Sequence, residues 1–500
     1  MNASFGVTAI TLVCLVTLTI GAFGFRLSRT TSDFYVASRM VTPAWNASAI
    51  GGEYLSAASF LGVAGLVYSL GADMLWLPVG YTVGYLVLLL FVAAPLRRSG
   101  AYTIPDFAEA RLESKSIRRV CSVLVLGIGW LYLLPQFKGA GLSLRAVSGA
   151  PEWVGALIVA VVVLTTVVGG GMRSITLVQA IQYWIKVTAI AVPAFVLLSW
   201  WLRHGQPAPQ GSLTPSTHQW AQPLSGFGGV AHPVYATYST LLALCFGTMG
   251  LPHVLVRFYT NPDGASTRRT TLVVLALLGL FYVFPPIYGA LGRTYLPKLP
   301  AGTSPDSVTL LLPSAVVPGG LGELMSALLA GGAFAALLST ASGLTICVAG
   351  VIAQDLIRGR LRNLTGGDAR AVNGFRIAAV IGVAVPYGLS LAARDIGLAD
   401  SVGLAFAIAA STFCPLLILG VWWRRLSTAG AAAGLLVGGT MATGAVMLRF
   451  FGQVHGGWAG ALLTQPAAWT LPTTFAVMTL VSLATPKRIP RGTARTMVRL

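Results

Sequence analysis

Acidic residues are scarce: 14 Asp and Glu in 500 residues, with all charged residues together at 9%. Soluble domains carry about 25% charged residues, so a soluble globular composition is excluded. Cysteine is also thin. The five cysteines, Cys14, Cys121, Cys245, Cys347 and Cys414, all lie in or beside apolar runs. Their spacing fits neither a disulfide framework nor a metal motif, which leaves buried, inert thiols. Histidine numbers five. No paired acidic motif and no metal-ligand cluster can be read, so the chain lacks the equipment of a membrane-embedded enzyme. The first residues, Met1 to Gly6, carry no basic side chain. The first apolar run therefore reads as a retained helix rather than a cleaved signal.

What the chain has in abundance is apolar sequence. It is 55% hydrophobic, with a mean hydropathy of +0.77. Apolar runs long enough to cross a bilayer recur along its whole length. Backbone groups in lipid must pair within their own segment, which excludes open sheets and leaves an all-α polytopic membrane protein. Thirteen spans are expected, at 5–25, 43–70, 74–96, 120–147, 153–169, 175–202, 236–258, 271–291, 322–351, 373–392, 398–420, 428–450 and 469–485.

The net charge of +19 could suggest a nucleic-acid partner. Its distribution argues otherwise. Most Lys and Arg sit in short loops on alternate sides of the spans: Arg26 to Arg39, Arg97 to Arg119, Arg173, Arg257 to Arg269, Arg358 to Arg376, and Arg424 with Arg425. With the tail Lys487 to Arg499, this asymmetry predicts the N-terminus outside and the C-terminus inside. No composition shift marks a second domain, so 1–485 reads as one transmembrane domain and 486–500 as a basic cytoplasmic tail facing anionic lipid. The 97–119 loop has room for a short surface helix. Loops 203–235 and 292–320, rich in Pro, Gly, Ser and Thr, could cover an outer mouth. No obligate protein partner is evident.

The most informative stretch is Gly51-Gly52-Glu53-Tyr54-Leu55-Ser56-Ala57-Ala58-Ser59. A central acidic residue costs roughly 3 kcal/mol on insertion scales. Two glycines precede it and small residues follow. This pattern predicts a helix interrupted at mid-bilayer, whose unwound carbonyls can ligate a cation. A close-packed small-residue interface with Glu53 hydrogen-bonded inside the bundle is the competing reading. A second stretch, Gly331 to Ser342, puts Ala336, Ser339 and Thr340 on one helix face. Its two hydroxyls and a carbonyl would complete an oxygen cage with the broken second span, unless they only bond back to their own helix. A third, Gly247-Thr248-Met249-Gly250-Leu251-Pro252-His253, marks a second interrupted helix. If spans two to six (43–202) and seven to eleven (236–420) are inverted copies, the two interruptions correspond, and that correspondence points to a transport site. The last two spans, 428–485, are additional. His253 is expected to make a structural hydrogen bond. On the sixth span Gln179, Gln182 and Lys186 share a face. A mid-span lysine must snorkel or turn inward, where it could bind an anion or substitute for a cation. Gln136 and Lys138 interrupt the fourth span in the same way.

These residues resemble the sodium/solute symporter family, and within it the cation/acetate, or monocarboxylate, branch. The matching stretches are Asp33 to Ala37, Glu53 to Gly62, the Gly170-Gly171-Met172 turn, Gly250 to Phe258, and Ala336 to Ser342 with Gln354 to Leu356. The resemblance implies a LeuT-like core of five plus five inverted helices, with one helix before it and two after. It implies a Na⁺ site formed by the carbonyls of Gly52, Leu55 and Ala336 and the hydroxyls of Ser339 and Thr340. Ser56 falls where the family often has a functional serine. One departure stands out: where many members carry a supporting aspartate, this chain has Gln179, with Lys186 two turns on. Gln179 and Lys186 are thus the coupling candidates, and proton coupling stays open. The expected activity is cation-coupled import of acetate, propionate or pyruvate across the cell membrane, with Na⁺ or H⁺ as partner ion. Glu53, Tyr54, Ser56, Gln136, Lys138 and Thr248 are the expected substrate neighbours. Glu53 is expected to face away from the anion, to be protonated, or to help the cation site. The alternatives are an amino acid or another organic anion as solute, and a transporter-like sensor. A sensor would carry an attached signalling domain, whereas only the 486–500 tail follows the last span.

Overall fold

A computed structural model describes residues 3–25, 41–208, 217–225, 231–300, 302–357, 368–392, 397–451 and 456–500. The Asp33 to Ala37 stretch lies outside the described residues, as do Arg26, Arg29, Arg39, Arg358, Arg360 and Arg362. Among the described residues there are helices and turns and no strand. The long helices are α1 (Ala3–Phe25), α2 (Pro43–Tyr54), α3 (Val63–Leu70), α4 (Trp76–Phe91), α5 (Lys115–Ser148), α6 (Glu152–Arg203), α7 (Pro233–Thr248), α8 (Pro252–Phe258), α9 (Gly264–Tyr282), α10 (Phe284–Tyr295), α11 (Gly320–Val351), α12 (Asp368–Ala392), α13 (Leu398–Trp422), α14 (Thr428–Phe451) and α15 (Ala467–Ala484).

Eleven stretches of this set are long and apolar enough to cross a membrane. Two of them hold more than one expected span. Ala58–Phe91 joins the second half of span two to span three, and Glu152–Arg203 joins spans five and six. The chain turns at single glycines in both. Gly171 has φ 58° and ψ −163° inside α6, and Gly71 has φ 79° and ψ −146° between α3 and α4. Such backbone is essentially reserved for glycine, so the chain reverses direction without a long loop.

Two helices are interrupted where the sequence indicates. The second span runs as α2 from Thr42, with Pro43 in its first turn, and stops at Leu55, whose φ and ψ are −73° and 82°. A π-helical turn, Ala58–Gly62, then leads into α3. The seventh span breaks between α7 and α8, where Leu251 is extended (φ −75°, ψ 116°) and Pro252 starts the next helix. Proline has no N–H to continue a ladder, so it sits most easily at a helix start.

The glycines around these breaks have a different job from the one expected of them. The helix is regular through Gly51 and Gly52, and unwinds only three residues later. A Cβ on Gly52 would lie 2.2 Å from the Gln179 carbonyl oxygen, and one on Gly51 would lie 2.9 Å from Tyr183. They let α2 lie directly on α6. Gly247 and Gly250 do the same for α13, where added Cβ atoms would meet the carbonyls of Phe406 and Ala409 at 2.5 Å. Small residues at such crossings are the usual means of close helix approach in lipid.

At the centre stands α11, whose most apolar stretch is wholly buried. It packs along α6, α5 and α1. It stays helical through Ala336 to Ser342, so the ion-binding face expected there is an unbroken one. Three basic residues counted above as loop charges are structural instead. Arg257 is 1% exposed and Arg111 is equally buried. Arg111 donates to the carbonyls of Gly420 (2.8 Å) and Trp423 (3.1 Å). Arg97 donates to Asn261 and Pro262. The 97–119 loop holds the expected helix, Ile104–Leu112, but Phe107, Ala108 and Arg111 tuck it into the bundle.

Gly171→Ala should lower stability by about 1 to 3 kcal/mol, because the side chain would force a sparsely populated φ/ψ region. Gly279→Ala, on an open face of α9 where nothing lies within 4 Å of the new methyl, should raise it by about 0.5 to 1 kcal/mol, because alanine holds a helix better than glycine. Thermal unfolding of the detergent-purified protein checks both. Equal melting temperatures for the two variants would contradict the turn at Gly171.

Candidate functional site

The break in α2 leaves its last carbonyls without intrahelical partners, as any helix end does. Leu55 N–H still reaches Gly51 O at 3.1 Å, and after that the ladder resumes with Phe60 N–H on Ser56 O at 2.9 Å. The carbonyls in between are served by side chains from two other helices. Thr340 Oγ1 on α11 donates to Glu53 O at 2.6 Å. Lys186 on α6 donates from Nζ to Gly52 O, to Leu55 O (2.9 Å) and to Ser339 Oγ (2.6 Å). Ser339 Oγ also lies 2.7 Å from Gly52 O and 2.9 Å from Ala336 O. Residues 52–55 and 336–340 therefore meet inside the bundle, and everything in this cluster is buried.

An ammonium has three N–H donors and no acceptor. Lys186 places all three on oxygens. Two of those, together with the Ser339 hydroxyl, belong to the set that the family resemblance assigns to Na⁺. The residues present do not fit a sodium ion beside the lysine. The ion would need the same lone pairs. Held about 4 Å from the ammonium, it would be repelled by about 4 kcal/mol at an effective dielectric of about 20.

Beside this cluster lies a second charged group. Arg257 Nε donates to Glu53 Oε2 at 2.5 Å, Nη1 to Thr176 Oγ1 at 2.8 Å, and Nη2 to Gln179 Oε1. Gln179 Nε2 in turn donates to Ser339 O at 2.6 Å. Gly343 on α11 makes room for the Glu53 carboxylate, since a Cβ there would lie 2.0 Å from Oε1. Glu53 is thus committed to Arg257. Arg257 was missed in the sequence because it lies at the end of the Gly250 to Phe258 stretch, beside a basic loop. A salt bridge spanning 204 positions leaves no periodic trace.

On the other side of the break the chain is lined by rings and hydroxyls. Tyr54 OH lies 3.0 Å from Thr248 Oγ1 and donates to Tyr81 O at 3.2 Å. Tyr54 packs edge-on against Tyr81 and Tyr85, at centroid distances of 5.9 and 4.7 Å. Phe406 of α13 closes the cluster at 5.4 Å from Tyr81 and 6.0 Å from Tyr132. Gln136 staples the break, accepting from Ala57 N–H at 3.1 Å and donating to Tyr132 O at 3.2 Å. Lys138 is half-buried on another face of α5, since residues two apart do not share a helix face. Ser56 Oγ is buried and faces the Tyr132 hydroxyl, whereas Tyr81 OH and Tyr85 OH are buried without a hydrogen-bond partner among the described residues. So are both ring nitrogens of His253, which stands edge-on to Tyr132 at 5.0 Å. The structural hydrogen bond expected of His253 is not made; ring packing holds it instead. Tyr81 and Tyr85 follow Gly80 and Gly84 on α4, and that repeated Gly-Tyr pair was the available signal for them.

A cavity of ≈ 360 Å³ lies above this cluster, at the end of the bundle opposite Arg97 and Arg111. Leu77, Leu244 and Leu404 line it, each within about a turn of Tyr81, Thr248 or Phe406. Asp73, Asp400, Arg449 and Gln465, with three threonines (Thr237, Thr240 and Thr464), supply its polar lining. Both proline-rich loops reach this end. Trp220 Nε1 donates to Val67 O at 2.9 Å, and Asp306 accepts from Leu398 N–H at 3.1 Å.

Three comparisons bear on this arrangement. The model of the sodium:solute symporter family matches residues 34–438. A symporter of Bacillus subtilis, itself uncharacterized, is 31% identical over 433 residues, covering 85% of this chain and 82% of its own. A monocarboxylic acid transporter of Corynebacterium glutamicum is 29% identical, covering 95% and 90%. Among solved structures, a Na⁺-coupled sialic acid symporter in a substrate-bound, outward-open state aligns with TM-score 0.73 at 14% identity, over 96% of this chain and 97% of that one. A nucleobase-cation-symport-1 family transporter aligns at 0.54 and 13%, over 93% and 98%. The latter two are similar in fold.

Glu53→Gln should destabilise the protein by about 3 to 5 kcal/mol, because it leaves the buried Arg257 charge unpaired. Replacing both, Glu53→Gln with Arg257→Met, should cost less than the single change. Denaturant or thermal unfolding of the purified protein reads the difference. A double variant as damaged as the two singles added together would contradict the pairing.

Proposed function

This chain belongs to the sodium:solute symporter family, and we propose that within it the protein imports a short-chain monocarboxylate, such as acetate, propionate or pyruvate, together with a cation. It is a multi-pass membrane transporter and not an enzyme. The observation that carries the solute class is the pair of buried hydroxyls, Tyr81 and Tyr85, without a partner among the described residues, with Ser56 beside the start of the half-helix after the break. Hydroxyls can donate, and a carboxylate only accepts. Half-helix N-termini add partial positive charge for an anion. The rings of Tyr54, Tyr85 and Phe406 pack edge-on in mutual contact and present an apolar wall, which suits the small apolar group of a short-chain acid. The charge of Glu53 is offset by its pairing with Arg257. The likeness to a monocarboxylic acid transporter supports the same choice.

With the N-terminus outside, the ≈ 360 Å³ cavity is the outer vestibule, and solute passes from it between α4, α7 and α13. A monovalent anion entering against a negative-inside potential costs about 2.3 kcal/mol per 100 mV, which a co-transported cation offsets. The position of the Lys186 ammonium favours the proton over Na⁺ for that role.

Reconstituted liposomes should take up labelled acetate or pyruvate when a cation gradient is imposed, and acetamide, which lacks the charge, should not compete. Tyr85→Phe and Ser56→Ala should each lower uptake efficiency roughly 10-fold, the worth of one hydrogen bond to a charged group. Absence of uptake of any of the three acids, under Na⁺ and pH gradients imposed separately, would contradict the proposal.

A further inference from the structure

We infer that Lys186 replaces a metal cation in this protein: its ammonium is the positive charge that ties the broken helix to α11, and the oxygens it holds take no Na⁺ while it is there. The inference rests on the transport reading above, because it concerns which ion that transport uses.

Three observations carry it. The first is the match of donors to acceptors. Three N–H groups meet Gly52 O, Leu55 O and Ser339 Oγ, and none is left over. The second is the fixing of the side chain. Lys186 leaves a face of α6 that is pinned two turns earlier by Gln179 on Ser339 O (2.6 Å), and one turn earlier by Gln182 on Thr17 Oγ1 (2.9 Å). The ammonium is held against α2 and α11 at once. The third is charge. The carboxylate nearest the cluster, Glu53, is bound to Arg257. Position 179, where an aspartate would have added a negative charge, is glutamine. Among the described residues no second anion stands against Lys186 to draw in another cation.

The consequence is specific. In a site that binds Na⁺ from solution, the ion's arrival draws the two helices together and its departure lets them part. Here the tie is part of the chain. It is present at any Na⁺ concentration, so Na⁺ does not act as the ligand that pre-organises this gap. Removing the ammonium while keeping the oxygens should restore a place for a small cation.

The test compares wild type with Lys186→Ala, and with Lys186→Met, which keeps the apolar stem. Melting temperature is measured in detergent with Na⁺ exchanged for choline at constant ionic strength. Wild type should melt at the same temperature in both. Lys186→Ala should melt lower in choline and recover as Na⁺ is added, and methylammonium should substitute for Na⁺. Lys186→Met should melt lower than wild type and respond to neither ion. A Na⁺-dependent rise in wild type, or a Lys186→Ala variant indifferent to every cation, would overturn the inference. If neither variant folds, the wild-type comparison decides alone. In liposomes, wild-type uptake should be indifferent to a Na⁺ gradient and Lys186→Ala uptake should require one. Should wild type take up no monocarboxylate, the solute assignment fails while the melting comparison still reports on Lys186.

Discussion

Everything near the centre of this bundle answers to one requirement: carbonyl oxygens freed inside a membrane protein must find donors. Where α2 unwinds at Leu55, the carbonyls of residues 52 to 55 lose their helical partners. In lipid each unsatisfied group costs several kcal/mol. Water or a metal ion is the usual remedy. Here α6 contributes an ammonium and α11 contributes two hydroxyls. The same contacts fix how far α2 can move from α6 and α11. Gly52, with no side chain, is what permits the approach, since the Gln179 carbonyl occupies the place of a Cβ.

The buried charges are arranged around that tie. Arg257, Glu53 and Lys186 stand within one small region of three helices, and Gln179 joins them, accepting from Arg257 and donating to Ser339. A glutamine can face a cation with its oxygen and a carbonyl with its nitrogen. An aspartate at 179 could do only the first. The substitution that seemed a mere departure from the family pattern is therefore coherent with Lys186. With a cation supplied by the chain, and Glu53 already paired, a further carboxylate has no sodium ion to neutralise.

Much of this was legible in the sequence. Glycine and proline inside apolar runs located both interrupted helices. Hydroxyls spaced along one face of the ninth span located their partner, and helical spacing put Gln179 on the face of Lys186. Three things were not legible. Gly51 and Gly52 looked like a site of unwinding, because sequence does not distinguish a glycine that frees the backbone from one that admits a neighbour. Arg257 looked like an orientation charge, because the same residue type serves both roles and only its distant partner separates them. Tyr81, Tyr85, Tyr132 and Phe406 drew no expectation, because which face a membrane aromatic shows depends on packing. The LeuT-like architecture, similar in fold to transporters of quite different solutes, was implied by the family resemblance, while span order suggested only that two sets of spans could be inverted copies. The chemistry had to come from side chains.

The most direct examination of the central claim is an experimental structure of the wild-type protein, determined once in saturating Na⁺ and once with choline in its place. Continuous density from the Lys186 side chain to Gly52 O and Leu55 O, unchanged between the two, is the predicted result. A discrete ion among those oxygens in the Na⁺ structure, with the lysine turned elsewhere, would contradict it.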